Sequence, residues 1–206
     1  NPSTAVLAPA GTKFYDARLT NFAPRLGIAW QPFGNAGTVV RAGFGTFYDL
    51  GYTLLGTALS PTLFPFARSR TVANTAIQDP VFFAEVPPVT IAPPYPRLFA
   101  YYNDYDSPRT YQYSFAVEQP LGASNSFSLS YVGAAGRKLG RVESLLPAVL
   151  RNASFTRVDA VSSLAYSDYN SLQAQFKRRM TRGLQALLSY TWAKSLDTSS
   201  DESNAN

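Results

Sequence analysis

The sequence predicts an all-β fold, an antiparallel segment of a transmembrane β-barrel, and three observations carry that prediction. Six segments alternate apolar and polar residues with a period of two, the mark of strands with one apolar face. Their connections alternate between short turns and long loops. Charged residues make up only 15% of the 206-residue chain while hydrophobic residues reach 46%; a soluble domain carries roughly a quarter charged.

The predicted strands fall at about 24–32, 38–48, 109–119, 125–133, 169–178 and 184–194. In the first, Leu26, Ile28 and Trp30 share a face. In the second, Val40, Ala42, Phe44 and Tyr48 do. The third places Tyr111, Tyr113, Phe115 and Val117 together. The fourth sets Phe127, Leu129 and Tyr131 opposite Ser126, Ser128 and Ser130. The fifth sets Leu172, Ala174 and Phe176 opposite Ser171, Gln173 and Gln175, and the sixth aligns Leu184, Ala186, Leu188, Tyr190 and Trp192.

Three hairpins follow from the connections. Pro32 to Gly37, Pro120 to Ser124 and Arg178 to Gly183 are short, and each contains Gly, the first two also Pro and the first also Asn, content that suits hairpin turns. The connections at about 49–108 and 134–168 are long. Outer-membrane barrels keep short turns on the periplasmic side and long loops outside the cell, which assigns the two ends.

Charge placement separates membrane from water. Arg25, Arg41, Glu118 and Lys177 all fall on the polar parity of their strands. Arg109 and Lys194 share the apolar parity but sit at the long-loop end. An Arg or Lys facing lipid at mid-bilayer costs about 2–4 kcal/mol, and far less near the interface. Aromatics gather at both ends of the apolar face, with Tyr48, Tyr111, Tyr131, Tyr190 and Trp192 at one and Trp30, Phe127 and Phe176 at the other. Two such girdles are expected at the headgroup level. A soluble β-sandwich alternates too, but its outward face carries many Lys and Glu, whereas this polar face is Ser, Gln, Thr and Gly.

Several functions are excluded by composition. The chain has no cysteine and no histidine, so it can build neither a zinc site nor a Ser-His-Asp triad. No apolar run approaches the length of a membrane-spanning helix. The net charge is +5, but the basic residues are scattered, so no nucleic-acid partner is predicted. No cofactor is predicted. The start at Asn1-Pro2-Ser3 and the polar run to Asn206 read as cuts through a longer protein.

The remaining candidates lie in loops and on the polar face. Asp104 with Asp106, and Asp201 with Glu202, are the paired carboxylates; nothing around them in sequence raises a pKa, so they are assigned no catalysis. The alternating acids at Asp104 and Asp106 are a partial calcium pattern without a full ligand loop. The 49–108 loop is rich in proline and in aromatics such as Phe64, Phe66, Tyr95 and Phe99. Most of these are assigned to a self-packed cap, and Tyr101, Tyr102, Asp104 and Tyr105 to ligand contact. Arg25, Arg41 and Lys177 should point into the lumen, either guiding an anionic substrate or pairing with plug or wall acids such as Glu118.

Four strings together resemble one family. They are Asn21-Phe-Ala-Pro-Arg-Leu-Gly-Ile-Ala-Trp30, Thr38-Val-Val-Arg-Ala-Gly-Phe-Gly-Thr-Phe-Tyr-Asp49, Tyr169-Asn-Ser-Leu-Gln-Ala-Gln-Phe-Lys177 and Arg182-Gly-Leu-Gln-Ala-Leu-Leu-Ser-Tyr-Thr-Trp-Ala-Lys-Ser195. In order and spacing they resemble the TonB-dependent receptor barrel, specifically its Oar-like subgroup, in which the barrel follows a carboxypeptidase-regulatory-like domain. The resemblance implies a 22-stranded barrel holding an N-terminal plug and coupled to the inner-membrane TonB energy complex. On that reading the chain is a fragment without plug or C-terminal strands. Its partners are outer-membrane lipid, the rest of its own barrel and the plug. It forms part of a transporter wall in the outer membrane. The rival expectations are a structural or adhesive outer-membrane barrel and a soluble glycan-binding β-domain.

Overall fold

A computed structural model describes residues 4–13, 15–16, 19–34, 37–49, 60, 63–67, 88–181 and 183–198. Its strands are β1 (Arg25–Trp30), β2 (Val39–Tyr48), β3 (Leu98–Tyr101), β4 (Arg109–Leu121), β5 (Asn125–Leu145), β6 (Val158–Thr181) and β7 (Leu184–Asp197), with a single helical turn α1 (Pro147–Leu150). They form one sheet in the order β1-β2-β4-β5-β6. The lower part of β6 pairs with β7, antiparallel like every earlier neighbour, and its upper part pairs with β3 in parallel. The sheet does not close.

The register aligns the predicted faces across all the long strands. Directly paired residues project to the same side of a sheet. Ile28, Ala42, Phe115, Tyr131, Leu172 and Trp192 form one row from β1 to β7. Trp30, Val40, Val117, Leu129, Ala174 and Tyr190 form the next. Between them, on the opposite face, run Ala29, Arg41, Ala116, Ser130, Gln173 and Thr191. Every apolar row therefore lands on one surface. That surface is open, with Ile28 64% and Trp192 70% exposed, far beyond what a soluble monomer leaves to water.

On β6 the apolar band has clear limits. At the long-connection end, the Asn170 side-chain oxygen accepts hydrogen bonds from the Tyr113 and Tyr131 hydroxyls at 2.8 and 2.7 Å. Two residues further, Asp168 pairs with Arg137 at 2.6 Å. At the short-turn end the same parity reaches Arg178, opposite Asn125. The stretch between Asn170 and Arg178 is about 27 Å along the strand. With a barrel tilt of 35–45° that is roughly 20 Å along the membrane normal, close to the ~25 Å apolar belt of such barrels. Gly133 belongs to the Tyr113 and Asn170 row, and the Tyr113 ring lies across it, where an added Cβ would stand 2.2 Å from a ring carbon.

The upper aromatics fit a tilted barrel. Tyr48 pairs with Arg109, which pairs with Arg137, beside the level of Tyr166. The Thr198 amide donates to the Tyr166 carbonyl, so Tyr48 and Thr198 share a row. Trp192 stands six residues lower on β7, four strands away. A girdle level through Tyr48 and Trp192 would descend about 1.5 residues per strand, or about 5 Å for each 4.8 Å of strand spacing. That corresponds to strands tilted about 45°, the geometry of a closed barrel.

The structure corrects the loop assignments. The expected 134–168 loop is strand except for 146–157, because β5 runs on to Leu145 and β6 starts at Val158. Register shifts between Gly136 and Leu139 and between Leu139 and Arg141 mark the change. Above the apolar band no lipid imposes alternation, so pairing persists while the period-two pattern fades. The expected 49–108 loop likewise contains β3, a parallel partner with no hairpin signal in its sequence. The expected Pro120–Ser124 and Arg178–Gly183 turns are shortened, because β4 runs to Leu121 and β6 to Thr181; Gly122 and Gly183 have φ of 70° and 77°, which a side chain would oppose.

Three separate segments close over the upper β5–β6 extension. Leu150, Phe155 and Val158 form a small core, packed by Ala5, Leu7, Tyr95, Leu98 and Leu145. Asn152 donates to the Ala5 carbonyl at 3.0 Å, and Tyr95 and Thr156 exchange backbone bonds with their neighbours across the 95–156 contact. The segment before β1, the 88–108 stretch and the 146–157 connection are therefore one folded cap.

Candidate ligand-facing surfaces

The predicted contact residues divide between the cap and the polar face. Tyr101 closes β3, and its ring meets Tyr105 edge-on at 5.4 Å. Tyr15, from the segment before β1, lies 5.6 Å from Tyr101 and 4.9 Å from Tyr105. Tyr105 is only 4% exposed. Burial, then the neighbouring phenols Tyr105 and Tyr15, push the Tyr101 pKa up to about 12. Burial, then Tyr15 and Asp49, raise that of Tyr105. These two rings hold the cap together. Tyr102 and Asp104 stay at its surface. Asp106 is taken by Arg109 at 3.6 Å and by the Ser107 amide. Among the described residues no three acids converge on a cation position. Asp201 and Glu202 lie outside the described residues.

The three predicted lumen cations do not converge. The register places Arg25, Arg41 and Lys177 on the polar face, in the rows of Gly45, Ala116 and Ser126. Arg25 stacks its guanidinium over the Phe47 ring at 4.5 Å. Arg41 pairs with Glu118 at 3.1 Å. Lys177 stands near the β6–β7 turn, opposite Ser126 and Leu187. Between them the polar face is uncharged. Ser128, Ser130, Gln173, Gln175, Ser189 and Thr191 border an open recess of about 240 Å³ on β5, β6 and β7. Gln175 reaches Ser189 at 3.3 Å and Gln173 reaches Ser171 at 3.3 Å. Most of the remaining donors and acceptors face outward, ready for water or a polar solute.

A charged cluster escapes the sequence reading. Asp159 is fully buried in β6. Its Oδ1 accepts from Arg157 Nε at 2.7 Å and from Ser144 Oγ at 2.9 Å, and its Oδ2 accepts from Arg97 Nε at 2.5 Å. Burial alone would raise its pKa; hydrogen bonds from Arg157, Ser144 and Arg97 outweigh that and hold it below the usual carboxylate value. The available signal was an acid inside the apolar run Val158 to Val161, since a charge buried there needs partners.

Comparison with known proteins gives one family and a fold. The sequence profile of a family described as outer membrane beta barrel domain matches residues 1–206. No curated protein sequence matches the chain. Among solved structures, the chain is similar to the outer membrane transporter YddB from Escherichia coli, with a TM-score of 0.56 and 14% identity over 85% of this chain. It is also similar to the FrpB iron transporter from Neisseria meningitidis (F3-3 variant), with a TM-score of 0.50 and 12% identity over 86% of this chain. At such identities the likeness concerns the fold. The chain spans 20% of the length of each.

Proposed function

The chain belongs to the outer membrane β-barrel domain family and resides in the outer membrane, and from that premise we propose that it is a wall segment of a TonB-dependent transporter of the Oar-like kind. The observation that carries this reading is the sheet itself. One face is a continuous apolar surface, and the other is rich in Ser, Gln and Thr, with Arg41 and Glu118 paired on it and Arg25 and Lys177 toward its ends. A wall of that kind separates lipid from a hydrated interior. The resemblance of its four strand strings to the TonB-dependent receptor barrel supplies the energy coupling and the plug as partners.

In this role the chain carries no reaction. It provides hydrogen-bonding groups to whatever fills the interior, and Tyr102 and Asp104 contribute to first contact at the cap. The substrate is an unidentified solute crossing the outer membrane. Formaldehyde crosslinking of the intact protein in living cells, followed by affinity isolation and mass spectrometry, tests the coupling. The expected result is recovery of the inner-membrane energy-coupling protein. Recovery of surface material alone, with no inner-membrane partner, would replace transport by an adhesive role.

A further inference from the structure

We propose that Arg97 and Arg157 form a binding site for a tetrahedral oxyanion, a phosphate or sulfate group, on the cap. Both guanidiniums are fixed from behind by one carboxylate. Arg97 bonds one oxygen of Asp159 and Arg157 bonds the other. Arg157 is held a second time by Ser144 at 2.8 Å, and Arg97 lies over the Phe99 ring at 5.0 Å. Asp159 is 0% exposed, whereas the side chains of Arg97 and Arg157 are 43% and 36% exposed. Each guanidinium carries five N–H donors, and these contacts use only the inward ones. Among the described residues the outward N–H groups of Arg97 meet no acceptor, nor does Nη1 of Arg157.

Charge points the same way. Two cations share one anion, so the cluster keeps one net positive charge. The other nearby ion pair, Arg141 with Glu143 at 3.2 Å, is neutral in itself. Side-chain entropy, the main cost of gathering two arginines around a ligand, is already lost to Asp159 and Ser144. Planar guanidiniums set side by side suit the oxygens of phosphate and sulfate.

Position selects the source. Asp159 lies eleven residues beyond Asn170 on β6, where the apolar band ends. That is about 37 Å along the strand and about 25 Å above the membrane boundary at a 45° tilt. Phosphates of the lipid headgroups lie far below it. The ligand is therefore a soluble phosphorylated or sulfated molecule, met before it reaches the interior. The site is independent of whether the barrel transports.

Arginine modification with phenylglyoxal tests the site in the intact protein in detergent, with peptide mapping by mass spectrometry. Millimolar inorganic phosphate or sulfate should slow modification of Arg97 and Arg157 and leave the exposed Arg151 unchanged. Arg97→Gln, which keeps the Arg157–Asp159 pair, should weaken the protection of Arg157 about tenfold or more. Arg97→Lys should weaken it less. Unchanged modification of Arg97 and Arg157 at saturating phosphate and sulfate would overturn the proposal. Protection seen only with lipopolysaccharide vesicles, and not with the free anions, would overturn the soluble source.

Discussion

Asp159 is the residue on which the cap depends most. A buried carboxylate between two arginines is stable only while ionised. Losing one member of such a group leaves uncompensated charge, a loss of about 3–5 kcal/mol when the site is fully buried; the partial exposure of Arg97 and Arg157 reduces it here. The pH dependence follows from the depressed pKa. The stabilisation is fully present above the unfolded-state value near 3.8 and disappears as pH falls through the lower folded-state value. Hydrogen exchange of the amides from Val158 to Ser163, corrected for intrinsic rates, should show constant protection from neutral pH down to about 4 and a loss below it. Asp159→Asn should weaken protection at neutral pH and abolish the acid step. An acid step unchanged in that variant would assign it to another carboxylate. The acid inside the Val158–Val161 run signalled that partners were needed, but Arg97 was not legible as one, because it lies 62 positions from Asp159 and meets it through a parallel pairing.

Strands were the most legible elements, and they were legible only where lipid demands a pattern. From Phe127 to Tyr131 and from Leu172 to Phe176, strict alternation revealed both the strand and its face. Above Gly133 and Asn170 the strands continue through bulges with Arg137, Asp168, Arg141 and Glu143, and alternation no longer reports them. β3 carried no readable signal because its partner lies far away in sequence. The facing assignment yields a sharp contrast on β7. Leu188 shares a row with Phe176 and is 66% exposed, whereas Ser189 shares one with Gln175. In the intact barrel, Leu188→Arg, in the girdle row near the short-turn interface, should reduce stability by about 1 kcal/mol, and Ser189→Arg, in a hydrated interior, by much less. Urea-dependent folding into lipid vesicles measures both. Equal losses would mean that the sheet is inside out.

At the scale of the molecule, the sheet ends in β1 on one side and on the other in β7 and, above the apolar band, β3; the outward backbone groups of β1 and β7 have no partner strand within this sheet. In lipid, each unpaired backbone group costs several kcal/mol, so both edges require further strands of a closed barrel. The cap then fixes sidedness. Three chain segments converge at one end, including the stretch before β1, while among the described residues the other end holds the turns marked by Gly34, Gly122 and Gly183. Barrels put their elaborated connections outside the cell, where a folded cap does not obstruct insertion of the strand ends. The absence of native cysteine makes the topology measurable. A single cysteine replacing Ser154, beside the Tyr95–Phe155 bridge of the cap, should react with a membrane-impermeant maleimide on intact cells. One replacing Ala123, in the β4–β5 turn, should react only after the outer membrane is permeabilised. Labelling of Ala123→Cys on intact cells with protection of Ser154→Cys would put the cap in the periplasm. The Arg97–Arg157 site would then meet periplasmic solutes rather than external ones.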